Sequence, residues 1–142
     1  MKINHPFLEA RFIDRPNRFL TRVEYNGTIV ESHLPDPGRL KELLKPGARI
    51  LIKEETGEHR KTSFSTQAVY DGNILISLNT LLPNQFTGYL LNEKKIDFLS
   101  DWDIYKKEPV YGNHRFDFHL KRGSKSLFLE VKSVTLVENA IA

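Results

Sequence analysis

From Arg115 to Ser133 the chain alternates apolar and polar residues on both sides of one short turn, Lys121-Arg122-Gly123-Ser124-Lys125-Ser126. Few patterns restrict a fold more. Side chains along a strand point to opposite faces at every step, so two such runs around a glycine-containing loop predict an antiparallel hairpin. One face carries Phe116, Phe118, Leu120, Leu127, Leu129 and Val131, an apolar set that has to be buried. If Gly123-Ser124 is a two-residue type II′ turn, Arg122 pairs with Lys125. The opposite face then sets Asp117 directly across from Glu130, with Lys132 two residues further along.

Such a face is unfavourable by itself. Directly opposite side chains hold their Cβ atoms about 5 Å apart, and like charges placed so repel. At an effective dielectric near 20 the cost for two carboxylates is roughly 3 kcal/mol before screening. A threonine would remove it, so keeping both acids points to a cation between them. Mg²⁺ or Mn²⁺ suits one or two carboxylates together with water and a substrate phosphate. Such an ion lowers the pKa of bound water, and Lys132 would orient or deprotonate that water. The other reading is a solvated face on which Arg115 and Lys132 neutralise the two acids. A one-residue change in register would also give Asp117 a different neighbour.

The rest of the chain is punctuated in the same way. Residues 18–25 and 28–34 alternate around Asn26-Gly27, the strongest short hairpin signal. Pro35-Asp36-Pro37-Gly38 is a turn cluster, and Arg39 to Lys45 predicts a short amphipathic helix with Leu40, Leu43 and Leu44 on one face. Ala48 to Glu54 reads as a strand, and Thr62 to Tyr70 with Ile74 to Leu78 as a hairpin around Asp71-Gly72-Asn73. Five short strands with one small helix fit an OB-like barrel, and composition equally allows an SH3-like one. The pattern changes near Ser77 to Thr80, where the domain junction is expected. Pro83 to Glu93 then predicts a helix, weakened by Gly88, and Ile104 to Tyr111 a strand.

Composition bounds the function classes. With 39% hydrophobic and 27% charged residues the chain is globular, and without cysteine it has neither disulfides nor thiolate metal sites. No apolar run approaches the roughly 18 residues of a membrane span, and the first residues lack a signal-peptide core, so a cytoplasmic, non-membrane protein is expected. Neither a Gly-x-Ser-x-Gly element nor a phosphate-binding glycine loop is present. The net charge of +3 is too slight to announce a nucleic-acid protein, but the first 22 residues concentrate Arg11, Arg15, Arg18 and Arg22 among Phe7, Phe12 and Phe19. Basic grooves with exposed aromatics are how OB barrels track a single strand. Arg39, at the start of the predicted helix, would join free N–H groups in holding a phosphate. Lys121, Arg122 and Lys125 ring the hairpin turn and could grip a DNA backbone or guard the tip against aggregation.

An aspartate followed by Glu-Val-Lys on a hydrophobic strand resembles the PD-(D/E)xK nuclease core. Arg18-Phe19-Leu20, the run His33 to Leu40, Lys45-Pro46-Gly47, Asn79-Thr80-Leu81 and the run Glu130 to Glu138 are together similar to the sugar fermentation stimulation protein A family. The resemblance spans nearly the whole chain. It implies a mixed α+β architecture: an N-terminal OB-like, nucleic-acid-binding barrel over residues 1–78, then a partial nuclease-like domain over 79–142. Asp117 and Glu130 would be metal ligands and, with Lys132, the catalytic set.

The chain departs from the family pattern at three places. Phe116 rather than Pro precedes Asp117. Thr87, Gly88 and Tyr89 stand where a helix would offer a further acid, and Glu93 is the nearest one. Family members also continue past Ala142 into another helix and strand, so a truncated sheet is expected here. Three functions follow: a DNA-binding protein with a Mg²⁺- or Mn²⁺-dependent nuclease-type site; a non-catalytic DNA-binding regulator of sugar metabolism genes; or an interaction module whose open sheet edge pairs with another chain, including a second copy.

Overall fold

The computed structural model describes residues 1–3 and 5–135. Leu136-Val137-Glu138, part of the family-like run, lies outside them. Lys2–Thr80 and Leu81–Ser133 form two compact units. No helix among the described residues is long and apolar enough to cross a membrane.

The first unit is a closed five-stranded barrel of OB type. Its strands are β1 (Leu8–Asn17), β2 (Leu20–Tyr25), β3 (Thr28–His33), β4 (Arg49–Glu54) and β5 (Phe64–Asp71), and β6 (Ile74–Ser77) extends the sheet beyond β5. The sheet runs β3-β2-β1-β4-β5-β6, and a short parallel pairing of Ser32 with Phe64 and His33 with Ser65 joins β3 to β5 and closes it. Asn26 and Gly27 both have positive φ, 51° and 75°, as the type I′ turn between β2 and β3 requires. β1 pairs with β4 through Leu8–Arg11 and with β2 through Arg11–Asn17, with irregular register around Asp14. Those bulges let one strand turn a corner of the barrel.

Inside, Phe12, Val23, Leu34, Ile50, Ile52, Val69 and Leu78 are buried together, with Leu40, Leu43 and Leu44 closing one end. Three buried hydroxyls tie the closing strands: Thr66 Oγ1 lies 2.9 Å from both Thr21 Oγ1 and Ser32 Oγ, and Thr21 Oγ1 donates to the Ser32 carbonyl at 3.1 Å. A network satisfied in this way specifies its strands' register, because a slipped strand would leave a hydroxyl unpaired in the interior. The helix expected over Arg39 to Lys45 does not form. Leu40 has φ +52°, and only a hydrogen-bonded turn follows, in which Leu44 N–H donates to the Leu40 carbonyl at 2.8 Å. The Leu40, Leu43 and Leu44 side chains are nonetheless buried as the spacing demanded.

The second unit contains helix α1 (Leu82–Asn92), a 3₁₀ turn at Asp97–Leu99, and strands β7 (Asp103–Lys107), β8 (Val110–Tyr111), β9 (His114–Arg115), β10 (Phe118–Arg122) and β11 (Lys125–Leu129). Pro83 opens α1 in the first turn, where its missing N–H costs nothing. Lys94, at φ +56°, ends the helix: its N–H bonds the Leu91 carbonyl and that of Lys95 bonds the Leu90 carbonyl, a Schellman arrangement. The single strand expected over Ile104 to Tyr111 is broken at Glu108, whose φ is +50°. β7 pairs with β10 and β8 with β9. Leu91, Leu99, Phe118 and Leu120 form the core, flanked by Trp102, Ile104, Leu127, Leu129 and Val131.

Candidate functional site

The hairpin of β10 and β11 has the expected register: Arg122 pairs with Lys125 and Phe118 with Leu129, and Gly123 has φ +58°. The ladder breaks one residue earlier. Asp117 N–H donates to the Leu129 carbonyl at 3.0 Å, although Leu129 already faces Phe118. Two residues then meet one, as in a β-bulge, and the expected direct pairing of Asp117 with Glu130 is not made. The Asp117 carbonyl instead accepts from Glu108 N–H at 2.9 Å. The same irregularity removes Phe116 from the apolar face. Its ring packs 5.2 Å from Phe128 on the other side of the sheet.

The bulge gives the Asp117 carboxylate two fixed donors. Oδ1 accepts from Asn84 Nδ2 and Oδ2 from Val131 N–H, each at 2.6 Å. Each oxygen keeps a further lone pair. Glu130 and Lys132 are exposed beyond the end of β11 and bond to each other, Lys132 Nζ donating to Glu130 Oε1. That hydrogen bond holds the Lys132 pKa above its usual value, with the charges of Glu130 and, after it, Asp117 adding to the effect. Lys132 is thus bonded to Glu130, and the direct cross-strand pairing of Asp117 with Glu130 expected from the sequence is absent.

Asn84 is the member that sequence reasoning missed. The acid sought at Thr87, Gly88 or Tyr89 is not what α1 contributes; a carboxamide one turn earlier reaches Asp117. Asn84, Gly88 and Leu91 are spaced i, i+4, i+7 and so share one face of the helix. Leu91 enters the core, and a Cβ on Gly88 would lie 3.4 Å from the Phe118 ring. A polar residue at the end of that stripe is thereby turned toward the start of β10.

The basic residues divide sharply. Arg15 donates to the carbonyls of Gly38, Arg39, Arg18 and Asp36, over 2.5–3.1 Å, and its partial burial lowers its pKa. Arg22 is closed onto Asp14, and Arg11 donates to the Gly47 carbonyl at 3.2 Å. All three are engaged by partners within the barrel. Arg18 is exposed, its guanidinium 5.8 Å from the Phe19 ring, and Arg39 is exposed beside a turn without the helix expected to cradle a phosphate. Lys121 lies over the Tyr105 ring at 3.5 Å and Arg122 over Trp102 at 4.9 Å, while Lys125 is exposed at the hairpin tip. Among the described residues, no three or more His, Cys, Asp or Glu side chains come together as a metal cluster.

Comparisons with known proteins match two successive stretches of the chain. A family model described as the SfsA N-terminal OB domain matches residues 13–78, and one described as the sugar fermentation stimulation protein RE domain matches residues 81–142. The chain is 41% identical over 142 residues to a sugar fermentation stimulation protein homolog of Clostridium botulinum strain Hall, covering 99% of this chain and 62% of the relative. A homolog from Clostridium kluyveri is 39% identical over 137 residues, 95% of this chain and 59% of the relative. The chain thus spans less than two thirds of the curated relatives it matches. The solved structure of Pyrococcus furiosus SfsA in complex with Ca²⁺ has a similar fold, with a TM-score of 0.79 at 24% identity over 92% of this chain and 55% of that one. The chain belongs to the sugar fermentation stimulation protein family.

Proposed function

We propose that this chain binds DNA and that Asp117, Glu130 and Lys132 form a divalent-cation-dependent, phosphodiester-cleaving site. The observation that carries the reading is the Asp117 carboxylate held on both oxygens by Asn84 and the Val131 N–H, with the bonded pair Glu130 and Lys132 on the segment just beyond the end of β11. The donor set fits a hard cation such as Mg²⁺ or Mn²⁺. Both acids offer oxygen, Asp117 retains unused lone pairs on both oxygens, and Glu130 is open to solvent on a segment beyond the strand. That the related Pyrococcus furiosus protein was solved with Ca²⁺, which also takes oxygen ligands, adds support.

When bound, the ion would acidify water and offset charge on the phosphate. Asp117, fixed on both oxygens, would hold its ligand geometry without moving. Lys132, an ammonium hydrogen-bonded to Glu130, would donate to a phosphate oxygen or orient the attacking water. Of the exposed cations, Arg122 and Lys125 at the hairpin tip would add phosphate contacts.

The test is incubation of plasmid and single-stranded DNA with Mg²⁺ or Mn²⁺, comparing the chain with Asp117→Ala and Lys132→Ala. Cleavage lost in both variants is the expected result, and cleavage that survives either substitution removes the mechanism. A second reading, non-catalytic DNA binding as the family's name suggests for a regulator, is favoured by the lack of a three-member acidic cluster among the described residues. It predicts salt-sensitive DNA binding without cleavage. Affinity that hardly changes between low and physiological salt would defeat both readings, because phosphate contacts release counterions.

A further inference from the structure

Apart from the acidic site, the barrel carries a cleft of about 540 Å³ that nothing above accounts for. Its walls are the β1–β2 turn, the outer end of β3, and the loop from β4 to β5, bringing together Phe19, Glu31, His33, Arg60, Lys61 and Thr62. The volume lies within the range of small-ligand pockets.

Phe19 is the informative residue. It is a large apolar ring left 48% exposed, yet its backbone is held on both sides. Its N–H donates to Asn17 Oδ1 and its carbonyl accepts from Leu34 N–H, each at 2.9 Å. A burial-driven aromatic would have turned inward; this one is presented on a fixed frame. His33 stands on a strand paired with Leu20 on one side and Ser65 on the other. The opposite wall supplies the exposed cations Arg60 and Lys61, and Arg18 adds a third beside the Phe19 ring. A rigid aromatic face, an imidazole, one carboxylate and a pair of cations match the parts of a nucleotide. The ring offers a stacking surface and Glu31 an acceptor for base N–H groups, while Arg60 and Lys61 meet the phosphate. A neutral sugar would stack as well, but it would leave both cations without a counter-charge.

We propose that this cleft holds one nucleotide of a single-stranded nucleic acid, its base stacked on Phe19 and its phosphate held by Arg60 and Lys61. The proposal rests on the DNA-binding reading and adds to it a strand type and a place. It is independent of the acidic site.

The experiment is fluorescence anisotropy of a labelled oligo(dT) and of a duplex of equal length. The samples are the unsubstituted chain, Phe19→Ala, Phe19→Tyr and Arg60→Ala/Lys61→Ala, with thermal unfolding as a check on folding. Phe19→Ala is expected to weaken oligo(dT) binding roughly tenfold with its salt slope unchanged, and Phe19→Tyr to restore it. The double charge variant is expected to lower the slope of log affinity against log salt by about 0.7, the value for one phosphate of a single strand. Oligo(dT) binding by folded Phe19→Ala and Arg60→Ala/Lys61→Ala equal to the parent's would overturn the cleft while leaving DNA binding intact. A parent chain that binds neither DNA form would overturn the broader reading, and this one with it. Displacement of the oligonucleotide by a neutral oligosaccharide would assign the cleft to sugars instead.

Discussion

In the barrel, Arg15 is drawn into four backbone carbonyls, and Arg22 and Arg49 are closed onto Asp14 and Glu9. In the unit formed by residues 81–133, Glu130 and Lys132 bond to each other on an exposed segment, and Arg122 rests on an aromatic ring. The two regions use the same residue types for different ends. Where a strand bends or a turn leaves carbonyls without partners, as around Asp36 and Gly38, a guanidinium is needed to satisfy them and is lost to any ligand. Where the ladder satisfies itself, as in the β10–β11 hairpin, charges stay available. Counting arginines along the chain could not distinguish these cases, because the demand comes from the backbone.

The contrast can be broken experimentally. Core truncation should be equally severe in both regions: Ile50→Ala in the barrel and Leu120→Ala in the second unit, both fully buried, are each expected to cost about 2–5 kcal/mol in urea unfolding. The single tryptophan, Trp102, packs against the second core and reports Leu120→Ala directly by fluorescence. Charge removal should then separate the regions. Arg15→Met strands its carbonyls and is expected to destabilise by roughly 2 kcal/mol or more, whereas Lys132→Met is expected to leave the urea midpoint unchanged. Equal costs would erase the distinction drawn above. Asn84→Ala removes one donor from half-buried Asp117 and is expected to cost about 1 kcal/mol by the same measurement.

The smallest expected effect is on pH dependence. Hydrogen bonds from Arg49, Arg22 and Ser65 respectively hold the pKa values of Glu9, Asp14 and Glu55 below normal. Their contribution is present above the ordinary carboxylate values of 4.5 and 3.8, and it disappears as pH falls through the lower folded values. Lys132 behaves oppositely, because its raised pKa contributes below 10.5 and is lost as pH climbs through the folded value. Thermal midpoints should therefore respond to Glu55→Gln on the acid side and to Lys132→Gln on the alkaline side. A reversal of those sides would contradict the pairings.

What the sequence made legible was local. Turn chemistry at Asn26-Gly27 and Gly123-Ser124 identified two hairpins, since the positive φ of Asn26, Gly27 and Gly123 is one that asparagine and glycine readily adopt. β1 escaped notice because bulges near Asp14 and Pro16 interrupt its alternation, so the five strands counted from sequence included β6 in its place. The leucines at 40, 43 and 44 have helical spacing, yet the left-handed Leu40 bends the chain so that they cap the barrel from a turn. At the acidic site the residues were readable, but the bulge was not. It depends on Glu108 and Pro109 lying beside Asp117 and Phe116, a tertiary fact. Asn84 was hidden for the same reason.

The parallel contact between β3 and β5 rests on two residue pairs, Ser32 with Phe64 and His33 with Ser65. Partners so far apart in sequence meet only after the intervening loop has closed, which makes this seam slow to assemble relative to the hairpins. While it is unformed, two strand edges lie bare, and a nascent chain would be prone to pair with its neighbours. His33 belongs both to the seam and to the cleft beside it. Any molecule seated there would therefore act as a clasp, adding to the buried hydroxyls that already tie the seam.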